Sequence, residues 1–146
     1  MRKLKILFIA ALLLFLNGCS LLGEVNDSID YVNTATDHIE KINAFAQEAP
    51  QLIQEAVTNP EVKQELEAQL LTLKQDIEEF ISINDVPSIA ETIHQELVNK
   101  NKILLDEINQ VLENGHLALD KIENSQLISS MNEVTNLLNR INNLVP

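Results

Sequence analysis

Few side chains in this sequence are equipped for chemistry, and their spacing decides what each can do. The histidines are His38, His94 and His116, and two of them close a Glu-x-x-His motif: Glu91-Thr92-Ile93-His94 and Glu113-Asn114-Gly115-His116. On a helix this spacing puts a carboxylate and an imidazole on one face, the arrangement that holds paired metal ions in four-helix bundles. Such a centre needs its motifs at one height on different helices. Here they start 22 residues apart, at 91 and 113, on what reads as a single helix. That is about 33 Å along the axis, so the two do not meet at a metal pair. Asp27, Asp30 and Asp37 lack the alternating carboxylates, central glycine and closing glutamate of a calcium loop and read as a solvated helix face. No serine stands in a nucleophile-elbow pattern, and there is no glycine-rich phosphate loop. The expectation is a non-enzymatic protein with no catalytic residue, no metal ligand and no cofactor.

The remaining reactive group is Cys19, the only cysteine. Ahead of it come Arg2, Lys3 and Lys5, then eleven residues, 6–16, without a polar side chain. A bilayer span takes about 20 apolar residues, so the run is too short to cross. It suits the central segment of a secretory signal peptide, whose basic front end stays on the cytoplasmic side. Leu16-Asn17-Gly18-Cys19 resembles the lipobox of bacterial lipoproteins, with its leucine three positions before an obligatory cysteine. That resemblance implies that the Cys19 sulfur forms a thioether to a diacylglyceryl group bearing palmitate-class chains, and that a peptidase cuts after Gly18. Asn17 departs from the small or hydroxyl residue usual at its place. A plain secretory signal or an uncleaved anchor is the alternative reading of the same run. A lone thiol forms no intramolecular disulfide, and two acyl chains anchor stably where one is marginal. The expected organisation is a signal peptide over 1–18, removed on maturation, a lipid-anchored tether over 19–23 and a single helical domain over 24–146. Five extended residues reach at most roughly 17 Å, so the domain is expected to sit close to the membrane.

Charge narrows the partners. All 22 acidic residues follow Cys19, whereas three of the ten basic ones precede it, leaving a charge of −15 (7 minus 22) after residue 18. Nucleic acid needs clustered Lys and Arg on phosphate, and a domain lying flat on anionic lipid needs them too. Both are disfavoured.

The 128 residues from Cys19 onward (146 minus 18) contain two glycines, Gly23 and Gly115, and four prolines. That is too few turn residues for a β-sandwich. The aromatic residues Tyr31, Phe45 and Phe80 read as core. Residues 24–48 carry an apolar stripe from Val25 through Ile29, Val32, Ala35, Ile39 and Ile42 to Ala46, spaced by threes and fours, which predicts an amphipathic helix. Glu24, Asp27 and Asp30 fall where its dipole favours negative charge, and Asp37 and Lys41 are spaced for an i, i+4 pair. Pro50 reads as its end, with a short helix over 51–58. Asn59-Pro60 reads as N-cap and first helical residue of the next, whose stripe runs from Val62 through Leu66, Leu70, Leu73 and Ile77 to Phe80, widened by Leu71 and Ile81. After a loop over 82–87, Asp85 is a candidate cap for a helix reaching residue 114 with Ile89, Ile93, Leu97, Leu104, Ile108 and Val111 inward. Between Leu97 and Leu104 the apolar place falls on Lys100 or Asn101: either a polar residue setting register in the seam, or a helix that protrudes or turns there. Gly115 reads as a C-cap. Ser125 reads as the cap of a last long helix with Leu127, Met131, Val134, Leu138, Ile141 and Val145 inward. The fold class expected is all-α: an elongated up-and-down antiparallel bundle of about four long helices plus a short one, after the signal segment.

With the helices laid out, the chain resembles a family of small Bacillus-type lipoproteins catalogued only as a domain of unknown function. The residues that carry the likeness are Cys19-Ser20-Leu21-Leu22-Gly23-Glu24-Val25-Asn26, Tyr31-Val32-Asn33, Glu48-Ala49-Pro50-Gln51-Leu52, Glu78-Glu79-Phe80 and the leucine-rich last helix. The resemblance implies the outer face of a Gram-positive cell membrane and no particular activity. The expected function is a lipid-anchored binding or scaffolding module of the cell envelope, partnered by the membrane through Cys19 and by an unidentified envelope protein. The alternatives are a carrier of a small apolar ligand between the helices, and a hydrolase or metal enzyme.

Overall fold

The computed structural model describes the backbone of residues 19–144 and the side chains of 26–144. The signal segment 1–18, with Leu16, Asn17 and Gly18, lies outside the described residues, as does Val145. The described chain is mostly helical. In order come α1 (Cys19–Ala56), α2 (Pro60–Ile81), α3 (Glu91–Val111), a two-stranded hairpin of β1 (Leu112–Glu113) and β2 (His116–Leu117), α4 (Leu119–Ile122), α5 (Leu127–Thr135) and α6 (Leu138–Asn142).

Cross-helix pairs set the directions. Lys41 meets Asp76, and His38 meets Phe80, so α1 and α2 run in opposite senses. Lys100 meets Glu133 and Glu96 meets Arg140, so the α5–α6 segment runs against α3. Tyr31 meets His94 and His38 meets Asn101, both at a sequence offset of 63, so α1 and α3 run the same way in register. α1 packs against both α2 and α5. The core within these elements is continuous, with Ile39, Ile42, Leu66, Leu70, Leu104 and Ile108 fully enclosed. Tyr31, Phe45 and Phe80 are buried in it, as expected.

α1 is the largest departure from expectation. It is one helix of 38 residues, about 57 Å long, not two pieces broken at Pro50. Proline lacks the N–H that would donate to the Ala46 carbonyl, and its ring crowds that carbonyl. The helix continues because the turns beyond still have something to bury: Ala49 and Ala56 are enclosed, Leu52 and Ile53 are half-buried, and Pro50 itself faces solvent. α1 also begins at Cys19, so residues 19–23 are a helical stem and not an extended tether. No acidic residue falls in its first turn, so Asp27 and Asp30 lie too far along to answer the helix dipole. Lys41 reaches across to Asp76 in preference to Asp37. Ile29, placed in the stripe by periodicity, is exposed.

α2 follows its sequence closely. Asn59 Oδ1 accepts from the backbone N–H groups of Glu61 (3.0 Å) and Val62 (3.5 Å), with proline opening the helix. Its stripe is buried from Leu66 to Phe80, though Leu71 is exposed and does not widen it. α3 starts at Glu91, with Ala90 and not Asp85 at its cap position and no side-chain cap bond, and Ile89 lies outside the helix and exposed.

α3 ends at Val111 because Asn114-Gly115 makes a hairpin turn. Both residues are left-handed, with φ of 51° and 82°, the pattern of the type I′ turn that Asn-Gly favours. Gly115 is therefore a turn residue, not a helix C-cap. Leu112 pairs with Leu117 and Glu113 with His116. The Glu67 carboxylate on α2 anchors the hairpin, accepting from the Leu117 N–H at 2.7 Å and meeting His116 Nδ1 at 3.3 Å. The Leu117 hydrogen bond is the main reason its carboxyl group titrates below the usual range. The last long helix is broken into α5 and α6 around Asn136-Leu137, where the Leu137 N–H turns back to Val134 in a tighter i→i−3 bond. The break buries Leu137 in place of Leu138. Ser125, expected as the cap, is replaced at that position by Gln126, whose N–H is held by Glu107.

Pro50→Ala is expected to stabilise the protein by about 1–3 kcal/mol, since an exposed proline inside a helix gives way to the best helix former. Urea unfolding followed by circular dichroism measures this; a lower midpoint in the variant would mean that α1 needs its proline.

Candidate functional site

Three helices bring polar side chains to one level of an otherwise apolar core. With Ile93 buried beside them, the inward places run from Ala90, at the cap of α3, through His94, Leu97, Asn101, Leu104 and Ile108 to Val111, all buried. They alternate spacings of four and three, a heptad seam. Asn101 occupies one place in that seam and is fully enclosed. It is therefore a polar residue in the seam, and the helix neither protrudes nor turns there. Its Nδ2 donates to the Leu97 carbonyl at 2.9 Å, which leaves Oδ1 to accept from His38 Nε2, also at 2.9 Å. That fixes the His38 tautomer, with its proton on Nε2. One heptad earlier on both helices, the Tyr31 hydroxyl donates to His94 Nδ1 at 3.1 Å, and the Ile83 backbone accepts from the same imidazole. Phe80 of α2 closes the layer. It stacks on the His38 ring at 4.2 Å and 8° and lies 5.7 Å from His94.

Burial governs how these groups titrate. It pushes the Tyr31 phenol up to about 12, so phenolate is absent at neutral pH. It also holds both imidazoles below the ordinary histidine value. For His38, the hydrogen bond to Asn101 and the charge of Asp76 pull the other way, and Lys41 adds to the depression. For His94, the Ile83 carbonyl opposes the burial. Among the described residues no buried side-chain nitrogen or oxygen lacks a hydrogen-bond partner, so the layer is internally satisfied.

Tyr31 and Ile83 also form the back of an open cleft of about 570 Å³ between the base of α1 and the 82–90 loop. Asp27, Asp30, Asp85 and Glu91 stand on its rim. Four carboxylates around one concavity focus negative potential and raise the local concentration of cations.

The structure sorts the sequence candidates. Glu91 and His94 share a turn, but His94 points into the core, where it is held by Tyr31, while Glu91 is exposed on the cleft. Glu113 and His116 face each other across a hairpin instead of following one another on a helix. Among the described residues no three His, Cys, Asp or Glu side chains converge as a metal site. Ser82 and Ser125 donate to the carbonyls that end their helices, Glu79 at 2.7 Å and Ile122 at 2.8 Å. Cys19, the lipidation candidate, is the first residue of α1. His38 and His94 are buried at 7% and 9% exposure. What links them to Tyr31 and Asn101 is an equal offset in two heptad stripes, a signal that appears only once α1 and α3 are known to run in parallel and face each other across the core.

Asn101→Ala leaves the His38 N–H without a partner and opens a gap in the seam, with an expected cost of about 1–3 kcal/mol. In a double-mutant cycle, His38→Leu with Asn101→Leu is expected to lose less than the two single changes summed, because neither partner is left unpaired. Additive losses would mean that the two side chains are not coupled.

Residues 31–144 match the model of a family of unknown function, DUF6376. Across 135 residues the chain is 33% identical to the "Uncharacterized lipoprotein YybP" of Bacillus subtilis (strain 168), covering 90% of each chain. No solved structure matches it. The matched span covers α3, the hairpin and the whole polar layer from Tyr31 to Asn101, and the chain belongs to the DUF6376 family of unknown function.

Proposed function

We propose that this protein is a bacterial lipoprotein, fixed by lipid on Cys19 to the extracytoplasmic face of the membrane, and that it acts without catalysis as a binding or scaffolding module of the cell envelope. One observation carries the reading: the lone thiol follows a basic, apolar leader and opens the longest helix. The relative's description as a lipoprotein supports it. No helix among the described residues is long and apolar enough to cross a membrane. On this reading Leu16 to Cys19 form the processing site and the acyl chains are of the palmitate class.

The mechanism is geometric. By the offset of 63, Ser28 stands level with Glu91 at the start of α3. Cys19 lies nine residues before Ser28, about 14 Å along the axis. A helical stem of that length would hold an up-and-down bundle above the lipid headgroups at a set height and present its flank to a partner. The charge of −15 and the acid-rimmed cleft favour a basic partner surface. They weigh against a carrier of apolar ligands, which needs a closed, apolar-lined cavity.

Cys19→Ala tests the anchoring. In cells fed a labelled fatty acid, the wild-type chain is expected in the membrane fraction carrying label, and the variant unlabelled and retained at its full precursor mass. A variant that took up label as the wild type does would refute anchoring through Cys19.

A further inference from the structure

We propose that His38 and His94 form a proton-operated latch: when the surroundings turn mildly acidic and both imidazoles take up protons, the side-chain contacts that join α1 and α3 across the core loosen between Tyr31 and Asn101 and the Tyr31 ring is released toward solvent.

The geometry demands neutral rings. With its one N–H given to the Ile83 carbonyl, a neutral His94 offers the Nδ1 lone pair to the Tyr31 hydroxyl. A proton on Nδ1 reverses that bond, so the hydroxyl must swing its hydrogen away and accept, beside a full charge on a ring only 9% exposed. His38 already uses its Nε2–H on Asn101, and a second proton adds a full charge to a side chain only 7% exposed and covered by Phe80. A buried charge without a counter-ion is strongly disfavoured, and the Phe80 face offsets only a fraction of that by cation–π contact. The charged groups around the layer are few and mixed. Asp37 and Lys41 flank His38 on α1, and Asp76 and Glu79 face it from α2. Asp85 of the loop and Glu91 of α3 border the Tyr31 side, with Asp27 and Asp30 of α1. Lys102 of α3 lies beside His94. From the other flank, Glu133 and Arg140 are engaged by Lys100 and Glu96. None of these carboxylates forms an ion pair with either ring among the pairs found in the described residues.

The sign follows from linkage. Both rings bind protons less readily in the closed layer than a free histidine does. The stability they contribute is complete above the ordinary histidine range near 6.5 and drains away as pH falls through the lowered values, because the open state takes up more protons. The other end of the core, around Leu66, Leu70, Leu104 and Ile108, is enclosed by apolar side chains. The response is therefore confined to the Cys19 end.

The test uses a built-in reporter. Tyr31 is the only tyrosine and there is no tryptophan, so tyrosine fluorescence reads this site alone. In the full-length protein in detergent, acrylamide quenching of Tyr31 is expected to rise about twofold between pH 7.5 and pH 5. His38→Gln with His94→Gln keeps an amide N–H and C=O at each place without a titrating ring, and its quenching is expected to stay flat. His116→Gln, at an exposed imidazole, is expected to respond as the wild type does. An unchanged wild-type signal, or a double variant that responds like the wild type, would overturn the latch; the second outcome would assign the effect to carboxylates. Should the double variant not fold, ring-proton NMR of the wild type decides: His38 and His94 must titrate together with a shift of the Tyr31 ring, and an independent titration refutes the proposal.

Discussion

A buried amide accepts one alignment of its neighbours. Asn101 is fully enclosed, and its two polar atoms are spoken for by Leu97 and His38. Slide α1 by one helical turn against α3 and the His38 N–H meets an aliphatic side chain, while the amide oxygen is left dry. Leucines alone impose no such penalty, since neighbouring turns of α3 carry Leu97 and Leu104 at equivalent places. The polar rung therefore sets the register of the longest helix, and Tyr31 with His94 repeats that setting one heptad away. α2 then has a defined surface to close on, and it does so by laying Phe80 flat on the His38 ring. A polar residue in a seam usually costs stability relative to an aliphatic one and returns specificity.

What could be read from the sequence was whatever local physics decides. The Asn59-Pro60 start of α2 and its stripe from Leu66 to Phe80 need only neighbouring residues to explain them, and both stand in the structure as read. Pro50 was misread because the local rule is real but small. A proline in a helix costs a few kcal/mol, and the burial of Ala49, Ile53 and Ala56 beyond it offsets that cost. At Gly115 the two candidate structures share one requirement, a left-handed backbone, and Asn114 before it decides for the hairpin. The break at Lys100 and Asn101 was visible as a gap in a stripe. Its meaning was not, because the partner that satisfies Asn101 stands 63 residues away and belongs to a helix whose direction relative to α3 is a tertiary fact. His38 and His94 were missed as a pair for the same reason.

The stem changes what an anchor at Cys19 can do. An extended tether lets a domain tumble above its lipid, and its length sets only an outer limit to the reach. A helical segment continuous with the main body passes orientation as well as distance. α1 runs unbroken from Cys19 to Ala56, so a lipid on its first residue would fix the tilt of everything packed on it. With the stem upright, the acidic rim of Asp27, Asp30, Asp85 and Glu91 stands about 14 Å from that end, beyond the roughly 8 Å screening length of physiological salt, and only tipping would bring it within that range. An anionic lipid surface would repel this rim, which favours an upright stance over a collapsed one.

The core is divided along its length, and the division has a direction. Toward the α1–α2 turn the enclosed residues are aliphatic, and deleting any one of them costs about 2–5 kcal/mol. Toward Cys19 a phenol, two imidazoles, an amide and one phenyl ring share the interior with aliphatic side chains such as Ala35, Leu97 and Ile141. Each polar member is satisfied, so the layer is stable, but each bond contributes only about 1 kcal/mol net and two of the members titrate. The molecule thus keeps its buried polar, register-setting contacts in one half. The half that sets register is the half nearest Cys19 and bordering the cleft, so any change of protonation there alters the alignment of α1 with α3 before it threatens the fold. An aliphatic core throughout would be tougher and would have no such point of control.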